Sequence, residues 1–465
     1  MNRLMAVVAA VFVSAPGVAR GQDAELARLQ DEAVARVQEY LRVNTINPPG
    51  NELRAVEFFA RILEAEGIAY ETAESAPGRG NLWARLEGGP GPALVLLHHT
   101  DVVPADPKYW TADPLSGEVR DGHITGRGAL DTKTLGIVHL QAFLALHRAG
   151  RPLTRPVIFL ATADEEAGGA FGAGWLVKNK PELFRNVGML LNEGGGGSEV
   201  QGKQIVEIEV TQKVPLWLRL TARDLPGHGS TPRVTSAVTR LVRALDRLRS
   251  YEFEPHIIPA VDAYFKGRSR AGIGPFAEQL GDIAKAVREP GFLTRLQLEN
   301  SFLAGLTRNT CTITRLEGSA KINVVPPQAT AEVDCRLLPD QDVDSFLTQL
   351  ATIIGDGDVE VETIMAFTPA VSSTDTDAFR TLDQVTRRNY PQASVLPSVM
   401  TGFTDSHFFR DLGIPSYGYA PFIVPAADQG GVHGNDERIS VENVRRGTAI
   451  MVEIVRALAQ APTSQ

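Results

Sequence analysis

The sequence predicts an α/β fold, built on a largely parallel sheet and interrupted by an inserted α+β module. Short apolar runs suited to buried strands, at 94–97, 156–162 and 187–191, alternate with helical segments, which is the pattern of a parallel sheet with crossover helices. From about Lys213 the texture changes, and strand-like and helical stretches follow one another in the order β-α-β-β-α-β. With 465 residues the chain is also too long for one ordinary domain.

Each element has its own reason. Arg3 followed by an apolar run at 4–13 and small residues around 19–21 reads as a signal peptide covering 1–21. The run is too short to span a bilayer, and no later stretch has 18 consecutive apolar residues, so a secreted or periplasmic protein without stable membrane insertion is expected. Residues 24–65 read as helix, broken at Asn47-Pro48-Pro49-Gly50. The apolar spacing at 132–149 predicts a long helix after the first strand. In the inserted module, 216–222 alternates as a strand, 236–250 is an amphipathic helix, and 251–305 is less regular. Strands at 310–316 and 329–337, a helix at 341–354 and a strand at 359–364 complete the module. The expected organisation is therefore 22–212 and 366–465 as one discontinuous domain, with 213–365 inserted as a ferredoxin-like unit carrying the extra 251–305 segment.

Composition narrows the function. The formal net charge of −9 makes a phosphate backbone an unfavourable partner, so nucleic acid is not expected. Cys311 and Cys335 are the only cysteines, which excludes a Cys-rich zinc site. They fall on strands that could pair, so a bridge and two buried thiols are both open.

Five polar clusters carry the chemistry, and they fall where reactive groups sit in such sheets, past the carboxyl ends of strands. His99-Thr100-Asp101 ends the first strand, and a carboxylate two residues from an imidazole can fix its tautomer. Gly126-Arg127-Gly128-Ala129-Leu130-Asp131 turns into a helix, where Asp131 could equally be an N-cap. Asp164-Glu165-Glu166 puts three acids beside apolar chain, a conflict that a cation relieves, and one acid can ligate while its neighbour serves as a base. Asn192-Glu193 and Gly431-Val432-His433 add a further acid and imidazole. Each alone is unspecific; together they suit a dinuclear zinc site.

These clusters, with HTDVVP, GRGALDTK, DEEAGG, NEGG, GHGSTP, KINVVPP, DCRLLP, TGFTDSHFFR and GVHGNDERI in one order, resemble the co-catalytic zinc exopeptidases. That family includes aminoacylase-1, glutamate carboxypeptidase, acetylornithine deacetylase and succinyl-diaminopimelate desuccinylase. The 251–305 segment and the RNT…NVVPP stretch look most like its carboxypeptidase S and N-fatty-acyl-amino-acid hydrolase branch. The resemblance implies two Zn2+ per chain, with Co2+ or Mn2+ able to substitute. Asp131 would bridge them, His99 and Glu193 would complete one site, and Glu166 and His433 the other. It implies Glu165 as general base, Asp101 as the partner orienting His99, and a cis peptide after Asp131. His228 would stabilise the oxyanion, often from the other subunit of a dimer formed through the inserted lid. Asn323, Arg336 and Gly402 would hold the substrate's free carboxylate. The implied activity is hydrolysis of the amide bond in a small peptide or N-acyl amino acid. Two residues depart from the pattern: Asn192 replaces an acid common beside the ligating Glu, and His407 stands where many relatives have Arg. A periplasmic binding protein for amino acids or peptides is the rival reading, but a binder needs no base beside a metal.

Overall fold

The computed structural model describes residues 16–461; the apolar run at 4–13 lies outside them. Helix α1 (Pro16–Leu41) leads through the predicted Asn47–Gly50 break into α2 (Leu53–Ala65). Strands β1 (Tyr70–Glu74), β2 (Gly80–Leu86) and β3 (Ala93–His99) follow, then helix α3 (Lys133–Ala149), β4 (Val157–Thr162), β5 (Val187–Asn192), β6 (Gly197–Val200) and β7 (Lys203–Gln212). A second unit begins with β8 (Val214–Arg223), α4 (Ala237–Ser250) and α5 (Pro259–Ala271), and continues with β9 (Thr310–Glu317), β10 (Gln328–Leu337), α6 (Val343–Ile354) and β11 (Val359–Ala366). The chain then returns through α7 (Asp377–Asn389), β12 (Ser394–Met400), β13 (Ser416–Gly418), β14 (Ile423–Val424) and α8 (Val441–Ala459).

The central sheet has the order β1-β2-β4-β3-β5-β13-β7-β6-β14, with β12 beside β7. Its middle, β4-β3-β5-β13, is parallel, as the crossover pattern requires. Antiparallel pairs lie on both sides of it, β1–β2–β4 on one and β13–β7–β6 on the other, while the outlying β12 and β14 pair parallel with β7 and β6. The sheet is therefore mixed, with a parallel centre as expected. Strand pleating sends alternate side chains of β3 to opposite faces. Leu94 and Leu96 join a core with α1, α2, α3 and α8, whereas Val95 and Leu97 face a second core with Leu176 and Phe409.

The second sheet has the order β9-β10-β8-β11, antiparallel throughout, which is the ferredoxin-like arrangement. It has a core of its own beneath α4 and α6, including Leu218, Leu241, Val333 and Leu350. Cys311 and Cys335 are partners in the β9–β10 ladder and form a disulfide. The 251–305 stretch differs from expectation on two counts. It is mostly helical, and although Phe253 at its start packs in the module's core, the part from Ile258 onward packs on the central sheet. Tyr264, Phe265, Leu280, Phe292 and Leu296 share a core with Ile205 of β7 and with Leu396 and Val399 of β12. At the junction, Lys213 donates from Nζ to the carbonyls of Gly305 and Arg308, both at 2.8 Å, and to Thr310 Oγ1 at 3.2 Å. Among the described residues no helix is long and apolar enough to cross a membrane.

Candidate metal centre

The site forms where β3, β4 and β5 end. Pleating decides which of two adjacent histidines can enter it. His98 falls on the Leu94–Leu96 face and is buried against Phe59 and Phe159, with ring centroids 5.1 and 5.3 Å away. His99 therefore points the other way, into the site, with Nε2 3.0 Å from Asp131 Oδ1 and 3.5 Å from Glu193 Oε2. His433, on a distant loop, places Nε2 3.1 Å from Asp131 Oδ2 and 3.2 Å from Glu166 Oε2. Asp131 thus belongs to two donor groups, His99–Asp131–Glu193 and Asp131–Glu166–His433. The Asp131–Thr132 peptide is cis.

The electrostatics suit cations. Burial, reinforced by Asp131, raises Glu193 to about 7. Burial and the charge of Glu193 push Glu165 well above the usual carboxylate range. Burial also opposes ionisation of Asp131, but hydrogen bonds from His433 and His99 hold it below its ordinary value. His433 rises to about 10 through its hydrogen bonds to Asp131 and Glu166. Without metal, the crowding of carboxylates favours protons on both the imidazoles and the carboxyls of Glu165 and Glu193. One buried oxygen, Glu166 Oε1, has no hydrogen-bond partner among the described residues. A set of imidazole nitrogens and carboxylate oxygens, with no sulfur, fits zinc or similar divalent ions.

Surrounding groups fix the ligands. Asp101 accepts from the backbone N–H of Glu165 at 3.1 Å and of Glu166 at 3.2 Å, and from Asn47 Nδ2 at 2.8 Å. Its carboxylate lies 3.6 Å from His99 Nδ1, while its own carbonyl is nearer, at 3.0 Å. Asp101 therefore orients the ring chiefly through its backbone and uses its side chain to hold the acidic turn. Asp164 points elsewhere: Arg79 Nη2 lies 3.3 Å away, and its other oxygen accepts from the N–H of Phe171. Asn192 donates to Ser406.

Two contributors are absent from the expected set. Glu437 is fully buried and accepts from the N–H groups of Gly128, Leu130 and Asp131 and from Arg127. Arg127 in turn donates to the Gly434 carbonyl, so the pair ties the loop of Asp131 to the loop of His433. The only sequence signal was an acid four residues after His433. Asp405 is buried at 2.9 Å from Thr162 Oγ1, and burial pushes its carboxyl well up.

The remaining expected residues lie on or beside the second sheet. Gly227–His228 pairs with Val324–Val325, and the Asn323 carbonyl accepts from the Gly229 N–H at 2.9 Å. His228 is exposed and bonded to Ser230, with no carboxylate of the metal set within reach. Arg336 is held by Asp334 at 2.7 Å and lies over Phe403, next to Gly402, with its centre 5.7 Å from the ring centroid. Its Nη1 is buried without a partner among the described residues. His407, by contrast, is buried between aromatic rings and lowered to about 3 by burial, so it presents no cation.

The model of peptidase family M20/M25/M40 matches residues 95–457. The chain is 30% identical to the N-fatty-acyl-amino acid synthase/hydrolase PM20D1 of Xenopus tropicalis, over 78% of this chain and 72% of that protein. It is 28% identical to aminoacylase-1 of Sus scrofa, over 92% and 96% respectively. Among solved structures it resembles the M20 family metallo-carboxypeptidase Sso-CP2 from Sulfolobus solfataricus, with TM-score 0.71, 20% identity, and 91% and 98% of the two chains covered. It also resembles the di-peptidase Dug1p of Saccharomyces cerevisiae, with TM-score 0.68, 15% identity, and 94% and 98% covered.

Proposed function

The chain belongs to peptidase family M20/M25/M40, whose members are metal-dependent hydrolases of amide bonds, and we propose that this member is an exported dinuclear zinc enzyme cleaving N-acyl amino acids or small peptides that carry a free carboxylate. One observation carries the reading: Asp131 is shared by two histidine–carboxylate groups, with Glu165 buried beside them. His99, Glu193, Asp131, Glu166 and His433 would hold the two ions, which supply Lewis acidity at the scissile carbonyl and make a water more acidic. Glu165 takes the proton of the attacking water and passes it to the leaving amine; its carboxylate lies beside the donor set, 4.0 Å from His99 Nε2.

Arg336 receives the substrate carboxylate, since it has an N–H left over after Asp334 is satisfied. Asn323 and the Gly402 backbone assist it. His228 and Asn323 sit on an exposed turn, so they act only when the second sheet closes as a lid or when a second copy presents them. Exposed Leu316 on that sheet, Val242 on α4, and Ile322 and Val324 beside the His228 turn support a homodimer formed through this unit. The apolar run at 4–13 and the Cys311–Cys335 disulfide support export to an oxidising compartment. The test is a screen of zinc-loaded protein over N-acetyl amino acids and dipeptides, with Glu165→Gln as control. Loss of turnover by at least about a hundredfold with metal content retained is expected. Equal turnover in the variant and the parent refutes the assignment.

A further inference from the structure

A cleft of about 570 Å³ lies between the second sheet and the turn that carries Glu165 and Glu166. One wall is that turn itself, through Ala167 and Gly168, and the Gly168 N–H bonds back to the Glu165 carbonyl at 2.8 Å. The other walls are Trp217, Ile364, Met365, Phe367, His407 and Phe408. The two sheets meet closely here: a side chain at Gly168 would stand 3.3 Å from Met365 Sδ. His407 is only 4% exposed, and its ring stacks on Phe367 at 3.5 Å and 15° and contacts Phe408 at 3.7 Å. Neither ring nitrogen has a hydrogen-bond partner among the described residues, and burial with the neighbouring charge of Arg410 lowers the imidazole to about 3. The cleft thus opens beside the turn that carries Glu165 and Glu166, and has no cation in its wall. Asp411, 4.0 Å from His407 Nδ1, stands exposed at its edge.

We propose that this cleft is the subsite for an uncharged apolar group of the amide substrate, alkyl or aromatic, with His407 serving as an aromatic surface in its wall. The inference rests on the amide-hydrolase reading and adds to it the chemistry of one end of the substrate. That group is either the acyl chain or the side chain of the amino acid, and substrate series separate the two.

The experiment measures kcat/KM of zinc-loaded enzyme on N-acyl-alanines from acetyl to octanoyl, and on N-acetyl amino acids whose side chains grow from methyl to butyl. The parent is expected to gain about fourfold per buried methylene in one series. A gain in the first places the acyl chain in the cleft, and a gain in the second places the side chain there. Ile364→Lys, at a half-exposed wall position, puts an ammonium into the cleft and is expected to flatten that slope. The slope is a ratio within one protein, so it is independent of any overall change in activity or folded fraction. Flat slopes in the parent in both series, or an unchanged slope in Ile364→Lys, overturn the proposal. If no substrate is cleaved, the amide-hydrolase reading fails. The cleft is then judged by calorimetric binding of straight-chain carboxylates from butanoate to octanoate, where affinity must rise with length in the parent and not in Ile364→Lys.

Discussion

Glu437 offers the sharpest test of how the metal loop is held. Its Oε1 accepts from Leu130 N at 2.6 Å and Asp131 N at 3.0 Å, and its Oε2 from Arg127 Nη1 at 2.7 Å and Gly128 N at 2.9 Å. Glu437→Gln keeps the shape but leaves one oxygen. Whichever way the amide turns, two buried donors face an NH2 group. Each such donor costs about 1–3 kcal/mol, so the native arrangement of the loop loses about 2–6 kcal/mol. The loss is local, because all four donors lie within 127–131. Amide exchange at Gly128, Leu130 and Asp131, followed by mass spectrometry on metal-free protein, should accelerate by at least about thirtyfold, the equivalent of about 2 kcal/mol. Zinc affinity should fall by about 10–100-fold, since Asp131 is no longer held in place. Unchanged exchange at 128–131 would refute the claim that Glu437 holds the loop, whatever happens to activity.

Three further outcomes are expected. Arg410 donates to Glu209 at 2.6 Å and to the Ser416 carbonyl at 2.8 Å in a buried setting, so Arg410→Met strands a buried carboxylate and should cost about 3–5 kcal/mol; an unchanged melting temperature contradicts this. Cys311 and Cys335 are 24 residues apart in sequence, so replacing both by Ala should destabilise the protein by about 3–4 kcal/mol, read by denaturation of parent and variant under oxidising conditions. His407 is lowered from 6.5 to about 3, so between those values the unfolded chain binds a proton that the folded chain refuses. Its contribution is free of penalty above pH 6.5 and turns against folding as pH falls towards 3. Melting temperatures from pH 7 to 4 should therefore fall more steeply in the parent than in His407→Phe, and parallel curves would exclude the effect.

The sequence held much of this in local form. Strand ends showed as apolar runs that stop at acids or histidines, and pleat parity alone separates His98 from His99. Motif order, rather than any single spacing, pointed to Asp131, Glu166, Glu193 and His433 together. Glu437 and Asp405 were not legible because their partners are backbone groups and a threonine brought near by the fold, and an isolated acid gives no sign of such partners. Asp101 was expected to act on His99 through its carboxylate, but the proximity of its own carbonyl to the ring depends on the local turn. In 251–305, Val261, Tyr264, Phe265 and Arg268 do carry a helical period, but prolines and glycines at 255, 259, 272, 274 and 281 cut it into pieces too short to stand out. Nothing local says which of the two sheets those pieces would cover.

The 258–306 buttress ties the two halves together mechanically. The backbone passes between the two halves not twice but four times, at Lys213, on entering and on leaving the 258–306 buttress, and near Phe367. A body hung on two threads pivots freely about the line joining them. With four, and with the Lys213 ammonium knotting one thread to another, only the slack in the short stretches flanking the buttress remains. The small half is accordingly tied, through the buttress, to β12 and β7 of the large one as well as through its own two ends.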